Sequence, residues 1–120
     1  MLNLSIENVA GVSVIRCSGR IVQSGAAYQL RNAVASELDS RAIVLDMTEI
    51  QKVEGGGLGM LVFLRRWAHD HGIQFKLFNP SHQVREKLER AGSICEVEIA
   101  SVPEVMALIN RDNHQYSIAA

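Results

Sequence analysis

Apolar and polar residues alternate at the start of the chain with the period of two that is typical of β-strands. Leu2, Leu4 and Ile6 are separated by polar residues, which predicts a strand with one buried face. A turn at Ala10 and Gly11 leads to a second apolar segment at 12–18. We therefore expect the chain to open with a β-hairpin.

Helical and strand-like periods alternate through the middle of the chain. One face of the first predicted helix carries four apolar residues, Ala27, Leu30, Val34 and Leu38. Gln23 or Ser24 would provide the N-cap of this helix. A continuous apolar run at 42–45 predicts a central strand covered on both faces. A short connection then leads to a glycine-rich turn that opens a second helix.

The remaining elements complete a single α/β domain. A helix runs from the turn to residue 71 and is closed by Gly72, and a strand follows at 75–78. Ser81 caps the next helix, in which Val84, Leu88 and Ala91 point inward and Gly92 is the stop. A strand at 95–99 and a last helix through residue 109 complete the domain, and a capping box at Ser101 and Glu104 opens that helix. We predict a mixed sheet with about four helices packed against it over residues 1–110. Residues 111–120 lack periodicity, and we expect them to form a frayed tail.

Composition and charge exclude several function classes. The 120 residues are 48% hydrophobic and 21% charged, with a net charge of -1, so we expect neither a nucleic-acid partner nor capture by an anionic membrane. The longest apolar run, at 57–64, is too short to cross a bilayer, and no signal-peptide pattern is visible. Cys17 and Cys95 lack metal-ligand spacing, so we predict reduced thiols in a cytoplasmic protein.

Four glycines follow an acid at the junction between the central strand and the second helix. Glu54 precedes Gly55, Gly56 and Gly57, and Gly59 follows after one residue. Such a turn leaves backbone N–H groups accessible, which suits a phosphate or the backbone of a partner protein. The glycine spacing fits no dinucleotide fingerprint, and no Lys-Ser or Lys-Thr pair follows that would make a P-loop.

Other residues with chemical potential form no recognisable catalytic or metal site. His69 and His71 lie two residues apart on a predicted helix, so they point to different sides. His82 and His114 are separated from them by loops. We therefore predict no enzyme activity, no metal and no cofactor.

The second helix carries an apolar face and a basic face when its residues are placed at 100° intervals. The predicted core face consists of Met60, Leu61, Leu64, Trp67 and Ala68. Leu58 and Val62 fall outside it, among Arg65 and Arg66, and we interpret them as part of an interaction surface. Alternatively, a neighbouring loop covers them. The predicted partner-binding residues are Glu54, Gly55, Gly56, Gly57, Leu58, Val62, Arg65, Arg66 and Ser24.

Four motifs, at 18–21, 43–47, 53–59 and 79–92, resemble in order and spacing the STAS domain of anti-sigma factor antagonists. The resemblance covers nearly the whole chain and implies a small cytoplasmic bacterial switch protein that regulates transcription. It implies a partner that is both an anti-sigma factor and a serine kinase of the histidine-kinase-like ATPase type. In the family, phosphorylation of a turn serine ends the interaction. We expect a monomer or weak dimer.

This sequence departs from that family at the turn. The position of the phosphorylated serine falls on Gly56, and the preceding serine falls on Gly55. Because glycine has no hydroxyl, the resemblance implies an antagonist-like interaction module that is not phosphorylatable at Gly56. Two alternatives stay open: an accessory subunit of an ABC-type lipid transporter, and a small-ligand sensor with a pocket between sheet and helices.

Overall fold

The computed structural model describes residues 2–22, 24–90 and 98–119, with the backbone alone for Ser24 and for residues 111–119. The predictions made for Gln23, Ala91, Gly92 and Cys95 lie outside the described residues. The prediction of a strand at 95–99 is tested only at its end.

One mixed sheet contains five strands in the order of the chain. They are β1 (Leu2–Val9), β2 (Val12–Ile21), β3 (Ala42–Val53), β4 (Gln74–Phe78) and β5 (Ile99–Ala100). β1 and β2 form the predicted antiparallel hairpin, and β2, β3, β4 and β5 run parallel to one another. The parallel pairs require crossover connections, which the helices provide.

Four helices cover the two faces of the sheet unequally. They are α1 (Ser24–Ala35), α2 (Gly56–Asp70), α3 (His82–Arg90) and α4 (Val102–Ala119). The main core joins the first three helices to one face of the sheet; its fully buried large side chains include Ile15, Leu30, Ile43, Leu45, Leu61 and Leu88. Ala42 and Val44 point to the other face, where Val105, Leu108 and Ile109 of α4 pack near them. The α/β fold class is confirmed.

Three helix-terminus predictions are confirmed by their hydrogen bonds. The Ser81 hydroxyl oxygen accepts from the Val84 N–H at 3.2 Å. The capping box of Ser101 and Glu104 is reciprocal, with both backbone N–H groups at 3.3 Å from the opposite side-chain oxygen. Gly72, at φ +69°, follows the end of α2, and the next residue donates to the Ala68 carbonyl at 2.8 Å, as in a Schellman motif.

The prediction of a short connection after residue 45 is wrong, because β3 continues to Val53. Its register with β2 shifts twice, so that β3 contains two extra residues opposite the stretch from Arg16 to Arg20. Such bulges reset which residues point inward. Met47, Ile50 and Val53 are therefore buried at intervals of three, a period that strand patterns of two do not recognise.

The ends of α1 and α4 also differ from the prediction. α1 ends at Ala35, so Leu38 lies beyond the helix and is 51% exposed instead of contributing to the core face. α4 continues to Ala119, past the predicted end at residue 109 and through the segment for which we predicted a frayed tail.

Candidate functional site

The glycine turn, defined as residues 54–59, joins β3 to α2 beside the end of β2. The Glu54 N–H donates to the Ile21 carbonyl at 3.2 Å, and the Gly57 N–H donates to the Glu54 carbonyl at 3.0 Å. Gly57 is buried against Ile21, and a Cβ on it would lie 1.9 Å from the Ile21 carbonyl oxygen. Only glycine permits this approach of two backbones, which fixes the turn to the end of β2.

The tip of the turn is bare backbone. Gly55 and Gly56 are exposed, and no heavy atom beyond their immediate surroundings lies within 4 Å of the place where a Cβ would stand. Gly55 is the N-cap of α2 at φ +53°, a conformation that other residues rarely adopt. The surface at this point therefore consists of peptide groups without side chains above them.

A carboxylate beside the tip is held by two lysines. Glu54 Oε1 lies 2.6 Å from Lys87 Nζ of α3 and 3.7 Å from Lys52 Nζ of β3. The hydrogen bond from Lys87, supported by the charges of both lysines, lowers the pKa of the Glu54 carboxyl below its ordinary value. Glu54 is therefore ionised at neutral pH, and its charge is matched locally.

A groove of about 690 Å³ lies between the end of β3, the start of α2 and α3; we call it the turn groove. Its lining residues are Gln51, Lys52, Val53, Glu54, Leu58, Gln83, Val84, Glu86, Lys87 and Arg90. The contribution of α3 was not predicted from the sequence. Gln83, Lys87 and Arg90 recur at helical spacing and so share one face of α3, but the sequence of α3 does not indicate that this face meets β3.

The position of α2 corrects the interpretation of Leu58. The buried residues of α2 are Gly57, Leu61, Leu64 and Ala68, and half-buried Leu58 packs against the main core together with Met60 and Trp67. Val62 is half-buried. All five residues of the predicted core face lie on the core, and Leu58 has to be added to them. The exposed large apolar residue of this helix is Phe63, at 50% exposure, which was not predicted as part of the interaction surface.

The structure divides the predicted partner-binding residues into separate places. Gly55 and Gly56 lie together at the exposed tip, whereas Gly57 is buried and is corrected from a partner contact to a packing residue. Arg65 forms an ion pair with Glu98 at 3.4 Å, and exposed Arg66 lies beside it in a different groove at the far end of α2. Ser24 begins α1, and its side chain is outside the described atoms.

Neither a metal cluster nor a membrane span is found in the parts of the chain that the structure describes. No three His, Cys, Asp or Glu side chains come together there as a metal site requires. No helix within those parts is both long and apolar enough to cross a bilayer.

Several solved structures share this fold. The anti-sigma factor antagonist SpoIIAA in its unphosphorylated form is 20% identical, with a TM-score of 0.74 over 93% of this chain and 97% of its own. An anti-sigma factor antagonist from Mycobacterium paratuberculosis is 16% identical, with a TM-score of 0.74 over 92% and 95% of the two chains. A sulfate transporter family protein from Wolinella succinogenes is 18% identical, with a TM-score of 0.73 over 87% and 88%.

The family assignment comes from the sequence. No curated protein matches the chain significantly, and identities of this size support the likeness of fold alone. The family model of the STAS domain, however, matches residues 3–104, which include the five strands except Leu2, the first three helices and the glycine turn. This chain belongs to the STAS domain family.

Proposed function

We propose that this STAS domain is a non-enzymatic protein-interaction module of the anti-sigma factor antagonist type, acting in a cytoplasmic partner-switching system that controls transcription. Its partner would be an anti-sigma factor with a histidine-kinase-like ATPase domain. The observation that carries the proposal is the exposed tip at Gly55 and Gly56. A partner backbone can approach these peptide groups closely because no side chain stands above them.

The charges and apolar groups around the tip also support a protein partner. The turn groove combines an apolar floor that includes Val53 and Leu58 with charged residues at its rim, which is the common arrangement of protein interfaces. Lys87 and Glu54 form part of that rim and neutralise each other. The interface would therefore depend on shape and peptide hydrogen bonds more than on net charge.

The proposal includes the absence of the usual switch at this turn. A phosphate on a side chain at the tip would bring a charge of about -1.5 to -2 into the interface. Gly55 and Gly56 have no hydroxyl to accept one, so the module would stay competent to bind. Regulation would then act on the partner or on the amount of this protein.

Affinity capture from native lysate tests the proposal with two matched variants. Gly56→Arg places a large side chain in open space at the tip, and Ala35→Arg places the same side chain at an exposed position at the end of α1. Neither substitution disturbs the core. We expect wild type and Ala35→Arg to retain a histidine-kinase-like ATPase, identified by mass spectrometry, and Gly56→Arg to lose it.

The same experiment can reject the proposal. Equal capture of the ATPase by Gly56→Arg would place the interface elsewhere on the domain. Capture of no ATPase by the wild-type chain would remove the antagonist function itself.

A second candidate function is an accessory STAS domain of a membrane transporter, including the ABC-type lipid transporters. The similarity in fold to the Wolinella succinogenes sulfate transporter family protein favours it. In this case the wild-type chain should capture transporter subunits from detergent-solubilised membranes and no anti-sigma factor. A membrane fraction processed alongside the soluble lysate separates the two functions.

A further inference from the structure

A second groove lies at the far end of α2 from the glycine turn, and we call it the basic groove. It has a volume of about 620 Å³ and runs between the last turns of α2 and strand β4. Ile73 and Phe75 line it and are only 6% and 5% exposed. Since Gly56 and His69 are separated by about 20 Å along the helix axis, this groove is distinct from the turn groove.

The described side chains that line the basic groove carry more positive than negative charge. Arg65, Arg66, Lys76 and His69 line it together with the carboxylate of Glu98, which pairs with Arg65. On a chain with a net charge of -1, this is a local reversal of sign. Cations gathered around a concave surface attract an anion, and the apolar walls of the groove reduce the screening of that attraction by water.

Arg65 uses only part of its hydrogen-bonding capacity. Its contact with Glu98 is 3.4 Å, longer than the 2.7–2.9 Å that is usual between a guanidinium and a carboxylate. Its Nε atom is buried and has no hydrogen-bond partner among the described residues. A guanidinium can bind two oxygens of one acid group side by side. If the Arg65 side chain rotated toward an acid in the groove, that acid could accept hydrogen bonds from the guanidinium N–H groups that Glu98 leaves unused.

We propose that the basic groove binds a small organic anion, a carboxylate or phosphate attached to an apolar body. The acid group would contact Arg65, Arg66 and Lys76, and the apolar body would lie on Ile73 and Phe75. The volume of the groove is in the range of small-molecule sites. The proposal does not depend on the function proposed for the glycine turn, because the two grooves share no lining residue.

Titration of the isotope-labelled full chain, followed by amide NMR shifts, tests this site with defined probes. Phenyl phosphate and benzoate carry both features, inorganic phosphate carries only the charge, and benzyl alcohol only the ring. We expect one or both aromatic anions to shift the amides of residues 65–76 with a Kd of about 1 mM or lower. Comparing the two anions distinguishes phosphate from carboxylate ligands.

Arg66→Gln and Lys76→Gln should each weaken binding of the better probe about tenfold. Arg90→Gln, which removes a similar cation from the turn groove, should leave the Kd unchanged. Three results would each overturn the proposal: saturation with neither aromatic anion, shifts centred on residues 54–59, or equal effects of all three substitutions. Equal binding of benzyl alcohol and phenyl phosphate would refute the role of the charge.

Discussion

Gly57 shows how one residue type can be required by a contact between backbones. A Cβ at this position would stand 1.9 Å from the Ile21 carbonyl oxygen and 2.7 Å from the carbonyl carbon, so either β2 or α2 must move. We expect Gly57→Ala to destabilise the domain by about 1–3 kcal/mol, measured by urea unfolding. Gly59→Ala is the control, since its Cβ enters open space in a helix and should stabilise by about 0.5–1 kcal/mol. Similar stabilities of the two variants would refute this packing.

Gly56 is the opposite case, because the space that a side chain would occupy at this position is empty. We expect Gly56→Ser to unfold at the wild-type temperature and, incubated with the captured ATPase and ATP, to gain one phosphate at residue 56. A phosphate there would also be stabilised by the N-terminal end of α2. Gly25→Ser, in equally open space on α1, should stay unmodified. If the bound, active kinase added no phosphate to the Gly56→Ser variant, the placement of Gly56 at the phosphorylated position would be wrong.

Cys17 gives the domain a dependence on alkaline pH. Burial, with a smaller contribution from Asp46, raises the pKa of its thiol from 9.0 to about 12. The unfolded chain releases this proton above about pH 9 whereas the folded chain keeps it, so stability is lost as pH rises through that range. At pH 10 the loss should be about 1 kcal/mol. Urea unfolding of wild type and Cys17→Ala from pH 7.5 to 10 should show the difference in stability shrinking; a constant difference would exclude this effect.

At the scale of the element, the phase of α2 decides which apolar residues are available to a partner. Leu58 packs on the main core and Val62 does not belong to it, although both are half-buried. We expect Leu58→Asp to lower the free energy of unfolding by about 2 kcal/mol or more, and Val62→Asp by less than about 1 kcal/mol. Thermal unfolding of the two variants measures this. Equal losses would show that both side chains belong to the core.

Elements were predictable where local chemistry determines them. The hairpin, the Ser81 cap, the capping box and the Gly72 stop each depend on residues a few positions apart, and the structure has all four. The second half of β3 was not predictable, because its inward phase depends on bulges against β2. For the same reason the sequence located Gly55 and Gly56 at a turn but could not indicate that Gly57 is buried against Ile21 or that Lys87 reaches Glu54. Those contacts join residues far apart in the chain.

At the scale of the whole molecule, the second face of the sheet depends on α4 alone among the described helices. Val12, Ala42 and Val44 are buried beneath Val105, Leu108 and Ile109. Arg41 connects this helix to the rest of the domain, since its Nε donates to the Ala10 carbonyl at 3.2 Å and its Nη2 donates to the Leu108 carbonyl. The sequence predicts that the domain ends at residue 110, just after these three residues of α4.

Two truncations test that boundary. A chain of residues 1–110 keeps the described contacts of α4, so we expect its Tm within about 3 °C of the full chain. A chain of residues 1–101 loses them, exposes three apolar side chains of the sheet and removes an acceptor from Arg41. Its Tm should fall by about 8 °C, because about 2 kcal/mol of burial is lost. Calorimetry of the three chains measures both values. If residues 1–110 unfolded as early as residues 1–101, the last turns of α4 would be part of the domain, and the boundary would move to Ala119.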